Sequence, residues 1–342
     1  MSFEYSDLQG EISNYCADIG AQPLLVQGAG GNVSWKDADV LWVKASGTWL
    51  ADAVEQSIFV PVDLVHLREA IQNDQFDVKP VVVSESGLRP SIETLLHALM
   101  PQRIVVHVHA IEVLAHLVRA SFPSVLNQDS IPGVIWTSVG YHKPGAALAC
   151  AVARGLNDRP GVNVIFLQNH GVVIGAATVG EVASILNALT ERLRVVPRAA
   201  MVVPPLQKSI RYDDTCSWIP ANDPVLHQLA IDPALFKRVQ EDWALCPDHV
   251  VFMGARAVTV DDVSNLRAVI EKLEVLPDIL FLESVGVFVG PGFNKAKEAQ
   301  IRCYYDVIVR QGQDEKLNSL SDQNICELLN WDAERYRMRL AK

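Results

Sequence analysis

From Tyr5 to Val195, short β-branched runs alternate with longer segments whose apolar residues recur every three to four positions. Period-2 and period-3.6 patterns in alternation are met by strands and amphipathic helices packed in layers, so the chain is read as α/β. Helical segments are expected over Tyr5 to Ile19, from an Asp63 cap through Asn73, from a Ser91 cap through about Leu99, and on from His109 to Ala120. Two more run from Pro144 through Leu156 and from Val179 to Val195. Strands are expected at Val40 to Ala45, Arg103 to His109, Val134 to Thr137 and Val162 to Gln168, with Gly171 to Gly175 a turn or hairpin arm. The pattern then breaks. Pro197 to Pro224 holds five prolines and reads as a linker. Beyond it, helices at Pro233 to Leu245, Val263 to Leu273 and Asn294 to Arg310 alternate with strands at Val250 to Met253 and Ile279 to Leu282. At about 150 residues per domain, 342 residues divide naturally into a larger unit over 1–200, a proline-rich linker over 201–224 and a smaller α/β accessory unit over 225–342.

One internal echo crosses that boundary. Val164 to Gly175 reads VIFLQNHGVVIG and Ile279 to Gly290 reads ILFLESVGVFVG, each followed by a helix, and the second carries Val285 where the first has His170.

Charge narrows the partners. Lys+Arg 29 against Asp+Glu 40 gives a net charge of -11, which argues against a surface that wraps nucleic acid or an acidic membrane. The six cysteines include no closely spaced pair and fit core thiols in a reducing compartment. Met1 to Gly10 lacks a basic-then-apolar leader layout, and runs such as Val162 to Leu167 are far shorter than the roughly 20 residues of a spanning helix. The expected location is cytoplasmic.

Three histidines carry the chemical interest. His107 and His109 end a β-branched strand, and strand alternation projects both to one face. Alone, such a pair is more often packed or hydrogen-bonded than metal-bound. His170 follows a second strand and precedes a glycine. Three imidazoles that leave coordination positions open form the layout of a catalytic metal site. Glu93 lies near the start of a helix just upstream of the histidine strand, where the helix dipole also favours a carboxylate. His97 follows one turn later on the same face and is read as a Glu93 partner, as a cover over the metal pocket or, more plainly, as a satisfied, partly buried histidine.

Taken in order, Gly30-Gly31-Asn32-Val33-Ser34 with Ala45-Ser46-Gly47, Pro90-Ser91-Ile92-Glu93 with His107-Val108-His109, and Asn169-His170-Gly171 resemble the class II aldolase/adducin family. Tyr141 to Gly145 is similar to a pre-helix Pro-Gly element of that family, and the likeness runs over roughly residues 5 to 200. The residues after Pro197 resemble, more faintly, the post-aldolase segment of bifunctional aldolase/dehydrogenase proteins. Gly28-Ala29-Gly30-Gly31 is not a dinucleotide fingerprint, since Val33 takes the third glycine position.

The resemblance implies an α/β/α fold with a central, mainly antiparallel sheet. It implies that His107, His109 and His170 hold zinc or another divalent ion, and that Glu93 is the acid/base. It places a substrate anion at Asn32, Ser46, Gly47 and Ser91, with ordinary turn and cap roles as the plainer reading of the same residues. Phosphate-binding members often carry two serines before the glutamate, and here Ile92 replaces the second. The expected activity is zinc-dependent retro-aldol cleavage of a small hydroxy-ketone or sugar phosphate in a homo-oligomer, commonly a tetramer. Sugar-phosphate epimerases and dehydratases use the same metal enediolate, and adducin-type scaffolds keep the fold without the ligands. Lys44 is read as a solvated or anion-pairing lysine, and the region after residue 225 as non-catalytic. On that reading, a cut near Pro204 leaves metal binding in the first fragment.

Overall fold

The computed structural model describes residues 7–84, 87–127, 131–201, 209–212 and 217–341. In the first region the elements are α1 (Asp7–Gly20), β1 (Asn32–Asp37), β2 (Val40–Lys44), β3 (Phe59–Asp63), α2 (Leu64–Gln72) and α3 (Thr94–Leu99). They continue with β4 (Ile104–Val108), α4 (Ile111–Leu117), β5 (Trp136–Val139), α5 (Ala146–Asp158), β6 (Val164–Leu167), β7 (Gly171–Ala176) and α6 (Val179–Arg192). Local chemistry sets the helix starts: the Asp63 carboxylate accepts from His66 N–H, and the Thr178 hydroxyl from Glu181 N–H.

The strands form one sheet in the order β3-β2-β1-β4-β7-β6-β5, antiparallel throughout except for the β5–β6 pair. Alternation along β4 divides its side chains between two cores. Ile104, Val106 and Val108 pack with α1, α4 and α6. Val105 faces α3 and α5, with Leu96, Leu148 and Val152. The fold is therefore α/β/α with a mainly antiparallel sheet. His107 shares the Val105 parity and points to the α3 side, where Glu93 lies.

The second region holds β8 (Ile210–Arg211), β9 (Ser217–Pro220), α7 (Gln228–Ile231), α8 (Pro233–Glu241), α9 (Pro247–Met253), β10 (Val258–Val260) and α10 (Leu266–Ile270). It ends with β11 (Ile279–Leu282), β12 (Gly286–Val289), α11 (Lys295–Ile308), α12 (Asp322–Leu329) and α13 (Asp332–Leu340). Its sheet has the order β10-β11-β12-β9-β8.

Several sequence expectations are corrected here. The stretch 201–224 is not simply a linker. Its prolines stand at element edges, Pro220 closing β9 and Pro224 opening a 3₁₀ turn, while Trp218 is fully buried and donates its indole N–H to Pro277 O at 2.7 Å. Val250 to Met253 is the end of α9, not a strand. A four-residue apolar run has no readable period, and Pro247 at the first helical position starts a helix that is buried nearly all round. Val263 to Leu273 contains only α10 after a 3₁₀ turn, and its Leu266 and Ile270 are covered by Trp218 and Leu280 of its own sheet. Glu93 is the N-cap residue of α3 rather than a first-turn residue.

The two regions share one core. A continuous apolar cluster joins Ile12 and Leu114 of the first to Tyr304 and Val307 of the second. Arg310 pairs with Glu112 at 2.9 Å, with both side chains largely buried. Among the described residues no helix is long and apolar enough to cross a membrane, and Cys16, Cys150, Cys246, Cys303 and Cys326 are free thiols. Cys216 lies outside the described residues.

Candidate metal centre

The register of the first sheet assembles the site. Antiparallel pairing sets Asn32 opposite His107, and His107 opposite Val173, so the glycine loop before β1 and the turn before β7 both converge on the end of β4. His107, His109 and His170 are buried, and one nitrogen from each lies within 4.8 Å of the others. The Nε2 atoms of His107 and His109 are 3.2 Å apart. That is close to the edge of roughly 3.3 Å expected of a tetrahedron with zinc–nitrogen bonds of about 2.0–2.1 Å. His107 Nδ1 donates to Val172 O at 3.1 Å, which leaves its Nε2 as the lone-pair nitrogen. Gly171 makes the crowding possible: a Cβ there would stand 3.0 Å from His107 Cε1 and His109 Cδ2. Glu93 faces the cluster, with Oε2 at 3.7 Å from His107 Nε2 and Oε1 at 3.5 Å from His170 Nε2.

The electrostatics suit a cation. Burial pushes His109 and His170 down to about 3, so both imidazoles are neutral donors at neutral pH. Among the described residues, Glu93 Oε1, His170 Nδ1 and Asp248 Oδ2 are buried without a hydrogen-bond partner. Glu93, Asp248 and Glu334 outnumber the nearby cations Lys44 and Arg337. Buried carboxylates in excess over cations, beside the three imidazoles, fit a divalent ion.

The cavity is lined by Ser46, Gly47, Ser91, Glu93, His109 and His170. Asn32 does not line it; it lies on β1 beside His107, buried, with Oδ1 unpartnered. Ser91 is not the helix cap that its spacing suggests, but its hydroxyl accepts from Glu93 N–H at 3.2 Å and so orients that residue. His97 does not meet Glu93. It is fully buried, and its Nδ1 is 2.7 Å from the Ser34 hydroxyl. Tyr141 packs in an apolar cluster and His142 is exposed. The reading of Lys44 as solvated is wrong. It is buried on a central strand, its Nζ donates to Thr48 O at 2.6 Å and Ala29 O at 3.3 Å, and burial pushes its ammonium down to about 7.

Two residues escaped sequence reasoning. Asp248 and Arg337 of the second region line the same cavity. Arg337 Nη1 donates to Asp248 Oδ1 at 3.0 Å and to both Glu334 oxygens. Burial opposes both charges, but Arg337 and its hydrogen bond hold the Asp248 carboxyl well below the usual range. Asp248 and Glu334 in turn raise the guanidinium. No spacing could reveal a pair 89 residues apart. The site is also covered from this side: Leu340 lies against Gly47, and Arg89 stacks on the Tyr336 ring. The enclosed volume is about 30 Å³, enough for about two waters.

Comparison with known proteins covers the first region. The model of the Class II Aldolase and Adducin N-terminal domain family matches residues 11–196. A Bacillus subtilis (strain 168) protein named Uncharacterized oxidoreductase YuxG is 30% identical over 176 residues, 47% of this chain and 25% of that protein. The chain thus spans about a quarter of the length of that relative. Among solved structures, the N-terminal Class II Aldolase domain of a conserved protein from Thermoplasma acidophilum is 26% identical with a TM-score of 0.46, covering 56% of this chain and 94% of that one. A sugar-phosphate aldolase from Thermotoga maritima is 16% identical with a TM-score of 0.43, covering 55% and 92%. With more than half of its residues matched by the family model, and with the ordered glycine-loop, glutamate and histidine elements gathered at one end of the inner strands, the protein belongs to the class II aldolase and adducin N-terminal domain family.

Proposed function

We propose that the chain is a metal-dependent lyase that cleaves the carbon–carbon bond beside a hydroxyl in a small hydroxy-ketone or sugar phosphate. The observation that carries this reading is the approach of both Glu93 oxygens, at 3.7 and 3.5 Å, to the buried imidazoles of His107 and His170. His107, His109 and His170 would hold the ion, zinc by its donor set. When bound, such an ion supplies Lewis acidity to the oxygens of an enediolate. Glu93 moves the proton at carbon, for which its unpartnered Oε1 is free. Ser46, Gly47 and Ser91 line the wall where an anionic end of the substrate would sit, and Asn32 supports the loop behind them. Because Ile92 removes a hydroxyl from that wall, a carboxylate fits as well as a phosphate.

The oxidoreductase in the relative's name is not carried over. Gly28 to Gly31 runs into β1 instead of a helix, and so lacks the helix N-terminus that cradles a pyrophosphate. A cytoplasmic homo-oligomer, a tetramer by resemblance, completes the proposal.

Metal analysis of the purified protein, followed by assay of ketose phosphates and hydroxy-ketones for aldehyde release, tests it. Glu93→Gln should keep its metal and lose roughly 100-fold or more in turnover. Wild-type turnover in that variant would remove Glu93 from the role, and a wild-type protein without stoichiometric metal would end the proposal.

A further inference from the structure

Each metal-binding imidazole needs its second nitrogen fixed if it is to present the first. His107 has the Val172 carbonyl for this. His109 Nδ1 faces Asp248 Oδ2 at 3.7 Å. Asp248 is 3% exposed, and that oxygen has no hydrogen-bond partner among the described residues. Its other oxygen is taken by Arg337, which Glu334 anchors from the same helix. A buried carboxylate with one oxygen clamped and the other aimed at an imidazole N–H is the arrangement that sets a metal-binding histidine's tautomer and ring orientation. The glycine loop is shaped around this pair. A Cβ on Gly30 would lie 2.9 Å from Gln27 O, 3.1 Å from His109 Nδ1 and 3.2 Å from Asp248 Oδ2.

We infer that Asp248, held by Arg337, is the positioning residue of His109, so that the second region is a working part of the metal centre. The inference rests on the metal-site reading above. At 3.7 Å the pair is longer than a hydrogen bond, and it closes when His109 turns its Nε2 to a cation and its Nδ1–H to Asp248. Arg337 keeps the carboxylate ionised and in place. In this role Asp248 acts through the histidine. On this inference a fragment ending near Pro204, expected from the sequence to retain metal binding, binds zinc more weakly than the full chain.

The test is zinc affinity of the full chain, measured by competition with a chromogenic chelator and repeated with Co²⁺, whose visible spectrum reports ligand geometry. Asp248→Asn should bind zinc about 10- to 100-fold more weakly than wild type, the range seen when such partners are removed, and should change the Co²⁺ spectrum. Asp306→Asn, which removes another buried, arginine-paired carboxylate away from the cavity, should leave zinc affinity unchanged even where stability falls. Should Asp248→Asn fail to fold, Gly30→Ala, which forces the pair apart without touching the Arg337 bond, should give the same loss. Wild-type zinc affinity in Asp248→Asn or in Gly30→Ala overturns the inference alone. Failure of the wild-type protein to bind zinc overturns the metal-site reading with it.

Discussion

The β6–β7 and β11–β12 hairpins share geometry down to single residues and differ in what they do. Each first strand pairs parallel with the strand before it, β5 or β10, and antiparallel with its own return strand. Each return strand then pairs antiparallel with an earlier strand, β4 or β9. The turns close between Leu167 and Gly171, and between Leu282 and Gly286. Each turn carries one non-glycine residue with positive φ, Asn169 at 56° and Ser284 at 58°. A helix capped by Thr178 or Asn294 follows. Yet the next residue is His170 in one, buried among imidazoles, and Val285 in the other, 38% exposed. The scaffold positions a side chain; whether chemistry results depends on that side chain and on what the adjoining strand brings. Here β4 brings His107 and His109, whereas β9 ends in Pro220. The turns are also tied differently. Asn169 Nδ2 donates to Leu245 O and Asn318 O of the second region, so the first hairpin is braced by the region that holds its counterpart.

The comparison breaks most sharply at the histidine. His170→Ala should take zinc content from about one per chain to near zero by elemental analysis, while Val285→Ala leaves it unchanged. Retained stoichiometric zinc in His170→Ala would mean that the hairpins differ in sequence only. The bracing is next in size. Asn169→Ala strands two buried carbonyls and puts alanine at positive φ, a loss of roughly 2–4 kcal/mol in urea unfolding. Ser284→Ala, with only the backbone term, should lose about 1 kcal/mol. Equal losses would remove the special tie between Asn169 and the second region.

The remaining contrast is in pH dependence. His109 and His170 are pushed down to about 3 by burial, and His249 to about 4. Unfolded histidines take up protons below about 6.5 while these folded ones do not. Stability of the metal-free chain is therefore full above that pH and falls as pH drops toward 4, by about 1.4 kcal/mol per pH unit for each histidine. In His170→Ala the slope of stability against pH should be shallower by one histidine's share, and in Val285→Ala unchanged. Identical slopes in the two variants would contradict neutral burial of His170.

The first region was legible because its signals are local. Strand alternation puts His107 on the side of the sheet that Glu93 occupies, and the Asp63 cap stands where its helix begins. Where periodicity was too short to read, as at Val250 to Met253, a buried helix passed for a strand. Where prolines clustered, as before Pro224, strand edges passed for a linker. Lys44 was misread because the residues flanking a lysine do not show that the strand carrying it is central and covered.

Periodicity, capping and the ordered histidine and glutamate elements by themselves determined the layered α/β class, the family and the candidate ligands His107, His109 and His170. His107 and His109 share one strand face, and His170 stands in its own Asn169-His170-Gly171 element. Only the tertiary structure decided that Asp248 and Arg337 stand beside His109. Their placement comes from a core shared by two regions and from burial that makes an unpaired charge costly. Those forces act between residues that the linear order keeps far apart.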